Sequence, residues 1–283
     1  AVRHGRGAAH ALRLYRLSDD LAELARRSAW EERTLGAAVS AGLPVPTIEA
    51  SGSFEGAPFT VQQWLPGRPV VAAIERGPWW IWRLGRSFGR LQAQLHSLSP
   101  EELRRPPGSS WTGDLSPLDE PALIPLAESV REAAVEDAFC HLDFHPLNVL
   151  AERGRISALL DFPNAALADR RADLARTQTI LECAPVPPGP LSPLVQFLRG
   201  QFLSSWRRGY EAEAGSRIFP IEPIFATWGA ATFYADQKGA YEEARGWGGG
   251  SDVERVRLYL IERIVAAGFT PGSSDPGRTA GTG

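Results

Sequence analysis

The segment "CHLDFHPLNVL", residues 140–150, constrains this chain more than any other. Two histidines, an aspartate and an asparagine fall within eight residues among apolar neighbours. Polar groups that dense beside a hydrophobic strand need hydrogen bonds or a ligand. Three readings are open: a metal site, a catalytic loop or a polar turn. His141, Asp143 and His145 alternate, so an extended strand would put them on one face. A His-x-Asp-x-His set can hold zinc or another transition metal. The chain has five histidines, however, and beyond the cluster only His96 falls in a well-structured stretch, which leaves such a site short of ligands.

The 283 residues suffice for one large domain or two lobes with a sizeable core. A net charge of −3 suggests no nucleic-acid partner. No apolar run is long enough to span a membrane. Cys140 and Cys183 give neither a disulfide framework nor paired zinc spacing and read as buried thiols in a reducing cytoplasm. Lys238 is the only lysine, so any other site that needs a fixed cation must use arginine.

Hydrophobic patterning divides the chain. "AHALRLYR" (9–16) reads as a strand, preceded by the turn "HGRG" and a stub of a partner strand. Asp19 or Asp20 can cap a helix running to about Ala41, ended by Gly42 and "LPVP". "TIEAS" and "PFTVQQWL" read as strands joined by "GSFEGA", and "LPGRP" marks a lobe boundary. Beyond it, Leu84, Phe88, Leu91 and Leu95 recur at helical spacing, with His96 on the apolar face as a core histidine. Ser99–Pro121 reads as loop and Pro121–Val135 as helix. The opening segment, an "ER-GR" turn and "ISALLDF" read as strand, turn, strand, with helices from Asp173 to Gly268. Trp79, Trp80 and Trp82 read as packing residues.

Asp143 precedes Asn148 by five positions, and Asn148 precedes Asp161 by thirteen. This is the layout of the kinase catalytic loop and its following metal-binding aspartate. The chemistry suits the residue types. Asp143 can orient an acceptor hydroxyl and take its proton, while Asn148 and Asp161 offer oxygen ligands to Mg²⁺. "HLDFHPLNVL" followed by "LLDFPNAALADRRADLAR" resembles the aminoglycoside phosphotransferase and choline kinase-like family of small-molecule kinases. The usual form is close to H-G-D-x-H-x-x-N, then I-D-W or I-D-F, then G-D-x-x-x-D-L-A. Leu142 and Ala168 replace the two glycines, and Asp169, Asp173, Leu174 and Ala175 match. Weaker likeness extends to "GRLQAQLHSL" and "EERTLGAAVSAGLPVP".

The resemblance, over roughly residues 9–180, implies an α+β, two-lobed, protein-kinase-like fold; with the patterning above it gives a small antiparallel-sheet N-lobe over residues 1–66 and a larger, mostly helical C-lobe over 67–268, and the composition of 269–283 reads as a disordered tail. It implies a cytoplasmic, Mg²⁺-dependent kinase that moves the γ-phosphate of ATP or GTP to a small hydroxylated molecule, with Asp143 as catalytic base and Asn148 and Asp161 at the metal. His141 and Asp173 would brace the loop. Arg13 would stand where the family often has lysine, paired with Glu31. Gln63, Trp64 and Leu65 would form the hinge at the adenine, over a floor of Leu150 and Leu160. Two departures stand out. Arginine is no neutral substitute for lysine. The few residues before Ala9 hold no glycine-rich phosphate loop, so the N-lobe reads as incomplete. The alternative is therefore a kinase-like binding protein with weak or no transfer activity. Glu211, Glu213, Asp236, Glu242 and Glu243 read either as an acidic pocket for a cationic substrate or as a solvated helical face.

Overall fold

A computed structural model describes residues 2–3, 9–15, 20–98, 103, 111–113, 115, 118, 120–186, 189–242 and 250–270. The turn "HGRG", Asp19, Glu243, most of the 99–121 loop and the tail beyond Thr270 lie outside them.

The first part is a four-stranded antiparallel sheet with one helix. Its strands are β1 (Val2–Arg3), β2 (Ala9–Leu14), β3 (Ile48–Phe54) and β4 (Ala57–Gln63), in the order β1-β2-β4-β3. Helix α1 (Leu21–Ser40) starts at Asp20, whose carboxylate accepts the Ala22 and Glu23 N–H groups, a side-chain cap for otherwise orphaned donors. β3 continues through the Gly52-Ser53-Phe54 segment read as a turn, because positive φ at Glu55 (52°) and Gly56 (82°) closes the hairpin in two residues. Trp30 and Leu35 from α1 enter the main core.

"LPGRP" leads into β5 (Arg68–Pro69), which pairs with β7 (Val149–Glu152). β7 forms a hairpin with β8 (Arg155–Leu159), turning at Arg153 and Gly154. β6 (Ala138–Cys140) pairs with β9 (Ala166–Ala168). The opening segment is therefore not one strand: β6 ends at Cys140, and the polar residues fill a loop before β7. No strand face gathers His141, Asp143 and His145. Two short elements, β5 and α2 (Val70–Arg76), have too little periodicity to be read from sequence.

The remaining helices are α3 (Ile81–His96), α4 (Leu123–Ala133), α5 (Arg170–Cys183), α6 (Ser192–Ala214), α7 (Pro223–Glu242) and α8 (Gly250–Ala266). Leu84, Phe88, Leu91 and Leu95 of α3 are all buried. Trp79 and Trp82 are exposed, and only Trp80 of the three packs on the core. Phe269, placed in the tail by sequence, also packs there. Among the described residues no helix is long and apolar enough to cross a membrane.

Helices α3 and α6 touch backbone to backbone. A Cβ on Gly89 would lie 2.1 Å from the Trp206 carbonyl oxygen. Gly89→Ala should lower unfolding stability by about 3 kcal/mol, near the top of the usual range for overpacking a filled core. Urea unfolding measures this, and a change within about 0.5 kcal/mol, typical of a surface substitution, would show that the contact is not tight.

Candidate active site

The β7–β8 hairpin aligns the oxygen-bearing residues. Its register pairs Val149 with Leu159, and the Leu160 N–H donates to the Asn148 carbonyl at 2.8 Å. Asn148 thus sits beside the residue preceding Asp161. The Asn148 amide NH₂ donates to the Asp143 carbonyl at 3.1 Å and to Asp143 Oδ2 at 3.3 Å. Spending the nitrogen on Asp143 leaves the amide carbonyl oxygen for another partner.

Asp143 is held by three donors. Besides Asn148, His145 Nε2 lies 3.5 Å from Oδ2 and Arg176 Nη2 lies 3.4 Å from Oδ1. The Leu147 N–H donates to His145 Nδ1, which places the ring proton on Nε2, toward Asp143. Burial by itself would raise the Asp143 carboxyl, but His145 and Arg176 outweigh it and hold the group well below the ordinary carboxylate range.

The loop is fixed from behind. Asp173, fully buried in the first turn of α5, accepts the Leu142 N–H at 2.6 Å on one oxygen. On the other it meets His96 Nε2 at 2.7 Å and the Gln92 amide at 3.1 Å. His96 Nδ1 faces the Tyr210 hydroxyl at 2.9 Å, and Gln92 accepts from Trp206 Nε1 at 2.8 Å. Thr177 donates to the Phe144 carbonyl at 2.9 Å. Leu142, at the family's usual glycine position, adopts φ 57°, a conformation that costs a branched residue energy and here is held by the Asp173 bond. His141 Nε2 bonds the Leu160 carbonyl at 2.9 Å, and burial keeps its pKa low and its ring neutral. His96, Cys140 and Asp173 lie close enough to suggest a metal. Both His96 nitrogens already have protein partners, however, so the cluster is a hydrogen-bonded brace.

Arg13 joins the sheet to this site. Its Nη1 lies 2.9 Å from Glu31 Oε1 and 2.7 Å from Asp161 Oδ1. The Tyr15 hydroxyl takes the other Glu31 oxygen at 2.5 Å. Burial opposes the Arg13 charge, but Glu31 and Asp161 outweigh it and raise its pKa. Asp161 itself has φ 69°, another non-glycine residue held in the left-handed region. Of the hinge residues, Gln63 and Trp64 donate their N–H groups to the Thr47 and Ala9 carbonyls. Among the described residues the Leu65 N–H meets no protein acceptor. Leu150 and Leu160 are half-buried on the hairpin.

Of the described acidic side chains read from the later helices, Asp236 reaches this region, where it pairs with Arg176. Glu211 accepts the Ile218 and Phe219 N–H groups, and Glu213 meets Gln94 and Arg90. The side chains of Glu242 and Glu243 lie outside the description. Burial raises the Cys140 thiol far above its usual value and the Cys183 thiol to about 12, so neither supplies a thiolate at neutral pH. Sequence reading missed Gln92, Arg176, Thr177, Trp206 and Tyr210. A signal existed only for Arg176, which directly follows the matched Asp-Leu-Ala.

The Asp173 network has a pH signature. Burial would raise this carboxyl, but His96 and Gln92 hold it below its unfolded value. A depressed folded pKa contributes stability that is present above the unfolded pKa and is lost as pH falls through the folded one. Asp173→Asn should cost about 3–5 kcal/mol at neutral pH, as when a buried pair loses one partner. The variant should also lose stability less steeply in acid. Urea melts from pH 7 to 3 test this, and parallel acid slopes would contradict it.

The chain matches the family described as Phosphotransferase enzyme family over residues 2–212. Comparison with curated protein sequences finds no match. Similar solved structures include an aminoglycoside-3'-phosphotransferase of type VIII, at 18% identity and TM-score 0.55, covering 81% of this chain and 86% of that one. A thermostable mutant of aminoglycoside phosphotransferase APH(4)-Ia, in ternary complex with ADP and hygromycin B, is 14% identical with TM-score 0.61, covering 94% and 89%. APH(3'')-Id from Streptomyces rimosus ATCC10970 is 16% identical with TM-score 0.55, covering 80% and 85%. At such identities the structures speak for the fold, and the family match spans well over half of the residues. The chain has the two-lobed, kinase-like α+β fold and belongs to the phosphotransferase enzyme family.

Proposed function

We propose that this protein transfers the γ-phosphoryl group of ATP or GTP to a hydroxyl of a small molecule, with Mg²⁺. The observation that carries the reading is the convergence of Asp143, Asn148 and Asp161 from one loop and one hairpin, with Arg13 bridging Asp161 to Glu31. A structural neighbour holding ADP and hygromycin B supports a nucleotide and a small hydroxylated acceptor.

The donor set fits magnesium. Asn148 keeps its carbonyl oxygen clear because its nitrogen faces Asp143, and Asp161 presents a partly exposed carboxylate. These are the hard oxygen donors that Mg²⁺ takes, usually with waters and phosphates completing its shell. When bound, the ion would neutralise phosphate charge. Asp143 is in turn a weak base, since His145 and Arg176 favour its ionised form. Its larger role is to orient the acceptor hydroxyl and take the proton late, which suits a transfer whose barrier falls mainly through positioning and charge neutralisation. Arg13, paired with Glu31 and adjoining Asp161, would be the cation that meets phosphate. The Leu65 N–H is the hinge donor left for a purine edge, and Leu150 and Leu160 would lie under the ring. Two shielded thiols accord with a cytoplasmic setting.

Asp143→Ala should lower transfer about 10²- to 10⁴-fold, the usual contribution of a positioned acid–base group. Nucleotide binding should stay nearly intact. Asp161→Ala should instead weaken Mg²⁺-dependent binding of ADP. Phosphate release and transfer measured over aminoglycosides, sugars and amino-alcohols, with calorimetry of ADP binding with and without Mg²⁺, test both. Equal loss of ADP binding in the two variants would contradict the division of roles. Tight nucleotide binding with no turnover on any acceptor, water included, would favour the binding-protein alternative.

A further inference from the structure

We propose that Arg176 of α5 and Asp236 of α7 form a positioning pair for Asp143, with Asp236 anchoring the guanidinium that sets the direction of the Asp143 carboxylate. The proposal rests on the reading of Asp143 as the residue that meets the acceptor.

Arg176 is buried, at 8% exposure. Its Nη2 donates to Asp143 Oδ1 at 3.4 Å and makes a short contact with Asp236 Oδ2. Its Nε is buried with no hydrogen-bond partner. Burying a guanidinium with a donor unpaired is costly, and well-packed apolar residues often stabilise such a position better. Local packing therefore does not account for it. Its two charged partners are Asp143, the candidate catalytic group, and Asp236, which is half exposed.

The two helices are built to make this contact. A Cβ on Gly229 would lie 2.7 Å from the Ala175 carbonyl carbon and 2.8 Å from the Arg176 nitrogen, so α7 rests directly on the α5 backbone at Arg176. Asp236 follows Gly229 by seven positions, two helical turns, and so returns to the same face. The close approach thus delivers a carboxylate to the guanidinium. Divided over Asp143, the contacts form two sets. His145 and Asn148 hold Oδ2 from within the loop, and Arg176 alone among the described residues holds Oδ1, from outside it. Without Arg176 the carboxylate can turn about its last bond; without Asp236 the guanidinium loses the partner that places it.

The test uses ATP and Mg²⁺ with water as acceptor, in Arg176→Gln, Asp236→Asn and the double variant. Each single change should lower kcat about 10- to 100-fold, the scale of losses when a supporting contact behind a reacting group is removed. The KM for ATP should hold, because the contacts of the pair run to Asp143 and not to Asn148, Asp161 or Arg13. The double variant should be no slower than the slower single, since both changes break one chain of contacts. Arg176→Lys should recover part of the loss by keeping the charge. Multiplying losses, or a loss confined to KM, would overturn the proposal. A second measurement needs no turnover. In ¹⁵N-arginine-labelled protein, the Arg176 guanidinium protons, identified by their absence in Arg176→Lys, should be protected from exchange, and Asp236→Asn should remove that protection. Unchanged protection overturns the pair. A wild-type protein that binds ATP but turns it over on neither water nor any of the aminoglycosides, sugars and amino-alcohols overturns the transferase reading instead and leaves this second result to judge the pair.

Discussion

One buried carboxylate holds the rest of the site in place. Asp173 has no exposure to solvent, and its two oxygens collect three donors from two parts of the chain: the Leu142 N–H of the loop, and His96 and Gln92 of α3. A buried charge is tolerated only where such donors replace water. The requirement runs both ways. Asp173 needs the loop to stay ionised, and the loop needs Asp173 to keep Leu142 in a left-handed conformation that its side chain disfavours. That turn directs Asp143 back toward Asn148 and Arg176.

A second ionic cluster links the sheet to the hairpin. Arg13 lies between Glu31 and Asp161, so a strand, a helix and the candidate metal residue share one guanidinium. Both carboxylates meet the same guanidinium nitrogen, Nη1, so one positive charge serves the helix and the candidate metal residue together. Further contacts run beside it. Trp30 Nε1 donates to the Ala165 carbonyl and the Leu159 N–H donates to the Pro44 carbonyl, tying α1 and the segment after it to the strands that carry the site. A substitution in α1 can therefore reach Asp161 without touching nucleotide or acceptor.

Much of this was legible in the sequence because it depends on short-range rules. The Asp143–Asn148–Asp161 spacing spans one loop and one hairpin, and hairpin register leaves little freedom in where those side chains emerge. The Leu84–Phe88–Leu91–Leu95 face of α3 and the Asp20 cap of α1 follow from helical periodicity and unsatisfied N–H groups. Boundaries were less legible where two-residue turns at Glu55-Gly56 and Arg153-Gly154 let strands run further, or where a strand such as β5 is two residues long. His96 read correctly as a core residue, but its partners could not be named, since Asp173 and Tyr210 lie 77 and 114 positions away.

The sequence by itself therefore determined the family, most of the order of strands and helices, and the candidate residues for acceptor, metal and the Arg13–Glu31 pair. Each is set by spacing within a few turns of chain. Only the tertiary structure decided which charges meet across distant helices. Arg176 and Asp236 are 60 positions apart and come together because Gly229 lets α7 rest on the α5 backbone. Nothing in its local sequence separates Asp236 from Glu213, which remains on a solvated face. The difference is one of helix approach and burial, properties of packed surfaces that local periodicity does not contain.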